Sequence, residues 1–273
     1  MEMKKMLLCL AAMVILMSSI CLPIHAADRD IPVYIGSRTV EGVLMEDTTF
    51  VPFDIFCYEM GADAVTWNPE TNVVSAFCRG ITIASEEGAS YVEANGRCFY
   101  TGPSCRPIDG MLYVPVRALA KAFDAEVIWN GDDYTVDILD RGGICESGDT
   151  YYWDGAVMWL SRIMYAEANT EPLTGKIAVG NVIMNRVKSP EFPDTIYSVI
   201  FDRKYGVQFT PVANGSVYNN ANEECERAAK MVLEGATVSE EALYFMNVAA
   251  ASNLWVQNNR EYLFTIGKHS FYR

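Results

Sequence analysis

The stretch Val157-Met158-Trp159-Leu160-Ser161-Arg162-Ile163-Met164-Tyr165-Ala166-Glu167 decides how the second half of this chain is read. Val157, Leu160, Ile163 and Met164 recur at helical spacing and define one apolar face. Glu167 lies seven residues beyond Leu160, nearly in line with it. A helix that should bury this face therefore ends by placing a carboxyl group on it. Burial raises a carboxyl pKa, and a protonated carboxyl near neutral pH can serve as a general acid. The other reading of Glu167 is a cap for the next helix or a partner for an arginine.

Working outward, Asp154 is the expected cap of this helix, which runs to about Ala168. Thr170 and Pro172 open a second helix to about Val187, stopped by Ser189-Pro190. A shorter helix follows Pro193. A fourth spans Asn219–Leu233 and ends near Gly235. Tyr205–Tyr218 reads as a loop, and Tyr262–Ile266 and His269–Tyr272 as short strands. Asn181 and Asn185 share a helix face. Asn181 is a ligand candidate, whereas Asn185 with Arg186 suits backbone hydrogen bonds.

The first half contains a repeat. Phe50-Val51-Pro52-Phe53 recurs as Tyr113-Val114-Pro115-Val116, and Val65-Thr66-Trp67-Asn68 as Val127-Ile128-Trp129-Asn130. Each copy predicts a strand into Val-Pro, then a helix (Asp54–Met60, Val116–Phe123). A Trp-bearing strand, an Asn-rich turn and a further strand follow (Val73–Ala76, Thr135–Leu139). A β-rich stretch, Ile81–Tyr100, separates the copies. The polar, Gly-rich 141–150 reads as a linker.

The chain has 273 residues, which suggests two domains. Its 21 Lys+Arg against 35 Asp+Glu give −14, which argues against a nucleic-acid partner. Residues 1–26 read as an exported protein's leader: Lys4 and Lys5, an apolar run, Pro23, then Ile24-His25-Ala26. An uncleaved anchor is the alternative. Of the two histidines, only His269 would remain after cleavage. Common zinc sites need at least two His, so no metal or cofactor is expected. The remaining cysteines are Cys57, Cys78, Cys98, Cys105, Cys145 and Cys225. Cys98 and Cys105 could form a disulfide; free buried thiols are the alternative.

Many segments of the second half occur together and in order: Ile163-Met164-Tyr165-Ala166-Glu167-Ala168-Asn169-Thr170-Glu171-Pro172, Gly175–Val182, Asn185-Arg186-Val187, Phe192–Ile200, Gln208–Val212, Ala242–Phe245 and Ile266–Tyr272. In these the chain resembles the bacterial cell-wall hydrolases of the SleB and CwlJ spore-cortex-lytic type, over about 158–273. Asn169-Thr170 and Asn247-Val248 depart from the family's usual Arg-Gly and Asn-Pro. Residues 31–140 resemble the copper amine oxidase N-terminal-like domain, on Val114-Pro115-x-Arg117-Ala118-Leu119-Ala120 and Trp129-Asn130. The segment holds no histidine for copper.

The resemblance implies an α+β protein of two domains, a β-rich repeat-containing stalk at 31–140 and a mainly helical, lysozyme-like catalytic domain at 151–273. It implies cleavage of peptidoglycan glycan strands between MurNAc and GlcNAc, as a lytic transglycosylase with Glu167 catalytic. Tyr165, Glu171, Asn181, Gln208, Phe209, Tyr244, Asn247, His269 and Tyr272 are the substrate-binding candidates. The expected setting is the cell wall or spore cortex in germination, with wall or spore-coat association through the stalk. A hydrolytic muramidase and a non-catalytic wall-binding or germination-assembly protein stay open as alternatives.

Overall fold

The computed structural model describes residues 28–204, 206–251 and 253–273. The leader at 1–26 lies outside them. Among the described residues no helix is long and apolar enough to cross a membrane.

The first domain is built from two sheets. Its strands are β1 (Arg29–Ile35), β2 (Arg38–Met45), β3 (Thr48–Pro52), β4 (Ala64–Asn68), β5 (Val73–Cys78), β6 (Ile81–Glu86), β7 (Tyr91–Ala94), β8 (Arg97–Tyr100), β9 (Arg106–Ile108), β10 (Met111–Pro115), β11 (Glu126–Asn130) and β12 (Thr135–Leu139). One sheet runs β11-β12-β1-β2-β3-β10-β9 and the other β4-β5-β6-β7-β8. Two short helices, α1 (Phe53–Glu59) and α2 (Val116–Ala122), follow the Val-Pro steps. Pro52 and Pro115 sit at the N-caps, where the missing N–H costs no hydrogen bond.

The repeat sets the topology. β3 and β10 pair antiparallel with Val51 opposite Val114, flanked by Phe50–Pro115 and Pro52–Tyr113. Val51 thus faces its own repeat equivalent, and a local twofold axis there exchanges the two flanking pairs. The copies diverge afterwards: β5 pairs antiparallel with β6, whereas β12 pairs parallel with β1. The core below holds Phe53, Phe56, Leu119 and Phe123, all fully buried.

The second domain is mainly helical, with α3 (Gly148–Tyr151) at the junction, then α4 (Ala156–Ala168), α5 (Leu173–Lys188), α6 (Ile196–Ile200), α7 (Thr210–Asn214), α8 (Glu223–Leu233) and α9 (Trp255–Asn259). A three-stranded sheet of β13 (Tyr244–Met246), β15 (His269–Tyr272) and β14 (Tyr262–Ile266), in that order, closes it. The cap of α4 is Gly155 at φ 76 rather than Asp154, and no side chain caps it. The second helix starts after Pro172, later than Thr170. Asn222 caps α8 by accepting the Cys225 N–H, so Asn219 stands outside it. The expected loop at 205–218 holds α7 and a 3-10 turn at Ser216–Tyr218.

The two domains share a packed boundary. Cys98 on β8 is fully buried in the second domain's core, with Tyr91 and Tyr100 packed against it. At the end of the first domain, Arg79 holds Asp140 (2.7 and 3.1 Å) and the Gly143 carbonyl of the following linker (2.6 Å). The Cys145 N–H donates to Ala122 O, and Asn95 Nδ2 to Cys145 O. Gly148 passes so close to Gly96 that a Cβ there would lie 2.6 Å from the Gly96 carbonyl oxygen. Residues 141–148 are therefore strapped along the first domain rather than hanging free.

All six described cysteines are free and buried. Cys98 faces the second core and Cys105 the first, so the suggested disulfide does not form and the thiol alternative stands.

Candidate active site

Leu160, Ile163 and Met164 are fully buried on α4, and Glu167 continues that face at the helix end. Its side chain is half-buried. Burial pushes the carboxyl up to about 7. Among the described residues no side chain or backbone group pairs with it. A carboxyl held in this way is shared between its acid and base forms at neutral pH.

The chain beyond Glu167 is fixed from two sides. Asn222 Nδ2 donates to Asn169 Oδ1 at 3.0 Å, tying the helix end to the start of α8. Glu171 turns inward and is only 5% exposed. Its Oε2 accepts the Lys268 N–H at 3.0 Å, in the β14–β15 turn. Its backbone carbonyl takes the ammonium of buried Lys176, which also pairs with Glu224 at 3.2 Å. Gly267, at φ 55, lies so close that any Cβ there would overlap the Glu171 carboxylate. Glu171 thus anchors a turn, and its carboxylate is already engaged.

His269 Nδ1 stands 4.0 Å from Glu171 Oε1, and its ring meets Phe245 edge-on at 5.3 Å. Burial lowers the imidazole pKa from its ordinary value, so the ring is neutral at neutral pH. It packs against Phe245 beside the Glu171 carboxylate.

Several binding candidates are buried and already engaged within the protein. Asn181 is 4% exposed; its Nδ2 donates to Ala236 O at 2.8 Å and its Oδ1 accepts the Val238 N–H at 2.7 Å. Both ends of the amide clamp a loop, which leaves none for a ligand. Asn185, expected to hydrogen-bond backbone, does so, donating to Ser239 O and Ala242 O, each at 3.0 Å. Phe209 and Tyr272 are both 3% exposed. Phe209 packs on Phe245, and Tyr272 lies between Tyr244 and Tyr262 across the three-stranded sheet. Neither ring offers a free face.

Tyr165, Gln208, Tyr244 and Asn247 keep partial exposure. Gln208 Nε2 bonds Gly206 O, and Asn247 Oδ1 accepts the Ala250 N–H. The Phe209–Phe245–Phe271 ring row brings the Gln208 loop, β13 and β15 together. Tyr165 lies two residues before Glu167 on α4.

Two ring clusters escape the sequence reading. Arg186 is 5% exposed, and its guanidinium is ringed by Phe192, Phe209 and Tyr244 at 4.9–5.3 Å. Burial lowers its pKa to about 10; Nε donates to Leu243 O at 2.7 Å and Nη1 has no hydrogen-bond partner. Trp159 contacts Tyr197, Phe201 and Tyr218. These rings come from three elements, and no local spacing announces them.

Residues 170–272 match the family model described as Cell Wall Hydrolase. Residues 32–138 match that of the Copper amine oxidase N-terminal domain. The chain therefore carries a cell wall hydrolase domain behind a domain of the second kind, and its homologues are spore cortex-lytic enzymes. The spore cortex-lytic enzyme of Bacillus subtilis is 39% identical over 112 residues, 41% of this chain and 35% of that protein. That of Bacillus cereus is 26% identical over 232 residues, 72% of this chain and 88% of that protein. The match thus spans about a third of the length of the Bacillus subtilis relative. Among solved structures, the catalytic domain of the germination-specific lytic transglycosylase SleB from Bacillus anthracis is 34% identical. The match covers 45% of this chain and 97% of that one, with a TM-score of 0.41. Glu167 precedes the segment matched by the family model.

Proposed function

We propose that this protein is an exported enzyme that cuts peptidoglycan glycan strands between MurNAc and GlcNAc, as a lytic transglycosylase with Glu167 as its acid–base residue. One observation carries the reading: an unpaired, half-buried carboxyl at a helix end, raised to about 7. Protonated Glu167 donates to the glycosidic oxygen as the bond breaks and an oxocarbenium-like centre develops. The resulting carboxylate then accepts the proton of the muramic acid 6-hydroxyl. That oxygen closes onto the anomeric carbon, giving a 1,6-anhydro product. The nucleophile belongs to the substrate, so one carboxyl serves both steps.

The engagement of Glu171 favours this over hydrolysis. A hydrolytic route needs a second carboxylate to hold water, and Glu171 is committed to the Lys268 N–H and the His269 side. The names of the relatives support a setting in the spore cortex during germination, outside the cytoplasm, with peptidoglycan as substrate.

The test is digestion of purified peptidoglycan by the full chain, with product muropeptides read by mass. Anhydro ends are expected. Reducing muramic acid ends would replace the transglycosylase reading with a muramidase, and full activity in Glu167→Gln would remove Glu167 from the site.

A further inference from the structure

The first domain carries two related grooves that the chemistry at Glu167 does not use. One encloses about 480 Å³ and the other about 450 Å³. Val65, Trp67 and Val74 line the first; their repeat equivalents Val127, Trp129 and Val136 line the second. Each groove is closed by the hairpin of the opposite copy: Gly110–Met111 in the first, Asp47–Thr48 in the second. The twofold pairing of Val51 with Val114 therefore generates two related grooves, in which Asp54 of the first is replaced by Arg117 in the second.

Each groove presents an indole to solvent, with Trp67 61% exposed and Trp129 38%. Neither is needed to fill a core. Trp129 is braced edge-on by Tyr134, which holds a left-handed φ of 56, as its equivalent Asn72 does at φ 60. A bulky residue in that conformation is strained. The first groove also contains Asp54, whose Oδ1 is buried without a hydrogen-bond partner. A flat aromatic face in each groove, with an unsatisfied acceptor in the lining of the first, suits a pyranose ring, which offers apolar C–H groups on one side and hydroxyl donors at its edge. The protein's charge of −14 disfavours an anionic wall polymer.

We propose that the first domain binds the neutral amino-sugar backbone of peptidoglycan through both grooves, with Trp67 and Trp129 as the stacking faces. Two sites on one rigid domain, meeting a repeating polymer, give avidity beyond either alone. This inference rests on the reading that the chain acts on peptidoglycan.

The test is co-sedimentation of the full chain with insoluble peptidoglycan stripped of teichoic acid, alongside tryptophan fluorescence titration with N-acetylglucosamine oligomers. Trp67→Ala and Trp129→Ala should each weaken binding about tenfold, and the double variant more than either. All three should keep wild-type melting temperature and wild-type cleavage of short soluble glycan fragments. Unchanged sedimentation of the folded double variant overturns the proposal, as does binding only to walls that retain teichoic acid. Wild type that cleaves while the Trp variants still sediment refutes the grooves and leaves the enzyme reading intact. Trp-dependent sedimentation by a wild type that cleaves nothing refutes the enzyme reading and leaves the grooves.

Discussion

Arg97 of the first domain grips Glu234 of the second with two parallel hydrogen bonds, Nε to Oε1 at 2.7 Å and Nη2 to Oε2 at 2.6 Å. The side chains are 13% and 4% exposed. Tyr152 adds a hydroxyl bond to Glu234 at 2.9 Å, and the Tyr151 ring lies 3.5 Å from the guanidinium. Removing one partner leaves the other charge buried alone. Glu234→Ala should lower stability by about 3 kcal/mol, measured by urea denaturation of the full chain.

In its proposed role Glu167 makes both activity and stability depend on pH. A general acid must be protonated, so turnover should fall as pH rises above about 7. Its raised native pKa also means that the folded state holds this proton more tightly than the unfolded state does. Its stabilising contribution is complete below the ordinary carboxyl range, declines as pH rises towards about 7, and is gone above that. Glu167→Gln should therefore melt higher than wild type at pH 8 and nearly equal at pH 4. Its activity should drop by roughly 10²–10⁴. A pH series of melting curves and initial rates checks both.

Gly267→Ala would force a Cβ into the Glu171 carboxylate at a left-handed backbone position. A loss of about 2–3 kcal/mol is expected. Combined with Glu171→Ala the clash disappears, so the double variant should lose less than the sum of the singles. A double-mutant cycle by chemical denaturation reads this directly.

Asn181→Ala strips partners from the buried Ala236 carbonyl and the Val238 N–H at once. The expected cost is about 3 kcal/mol. Peptidoglycan cleavage per folded molecule should stay close to wild type, because the amide serves the loop. A large loss of activity without loss of stability would restore the ligand role.

Local patterns were readable where local physics decides them. The spacing of Leu160, Ile163 and Met164 placed Glu167 correctly on its helix, because helical periodicity needs no distant partner. The Val-Pro steps and the two Trp-Asn turns located the repeat for the same reason. The strands at 262–266 and 269–272 also matched. By contrast, β13 is three residues long and exists through its pairing with β15, so Tyr244-Phe245-Met246 looked only like aromatic lining. Asn181 has the same composition whether it meets a sugar or a loop; its partners lie more than fifty residues away. Cys98 and Cys105 are neighbours in sequence but face different cores, a separation that no spacing rule contains.

The Val51–Val114 pairing has a consequence for the order of folding. The central β3–β10 contact cannot form until the whole intervening segment has closed into a loop, and such long-range pairing is slow. β7 and β8 lie within that loop, and Cys98 on β8 completes the core under α8. The helical half therefore has a complete core only when β8 of the strand-rich half is packed against it, so the two domains share part of their stability.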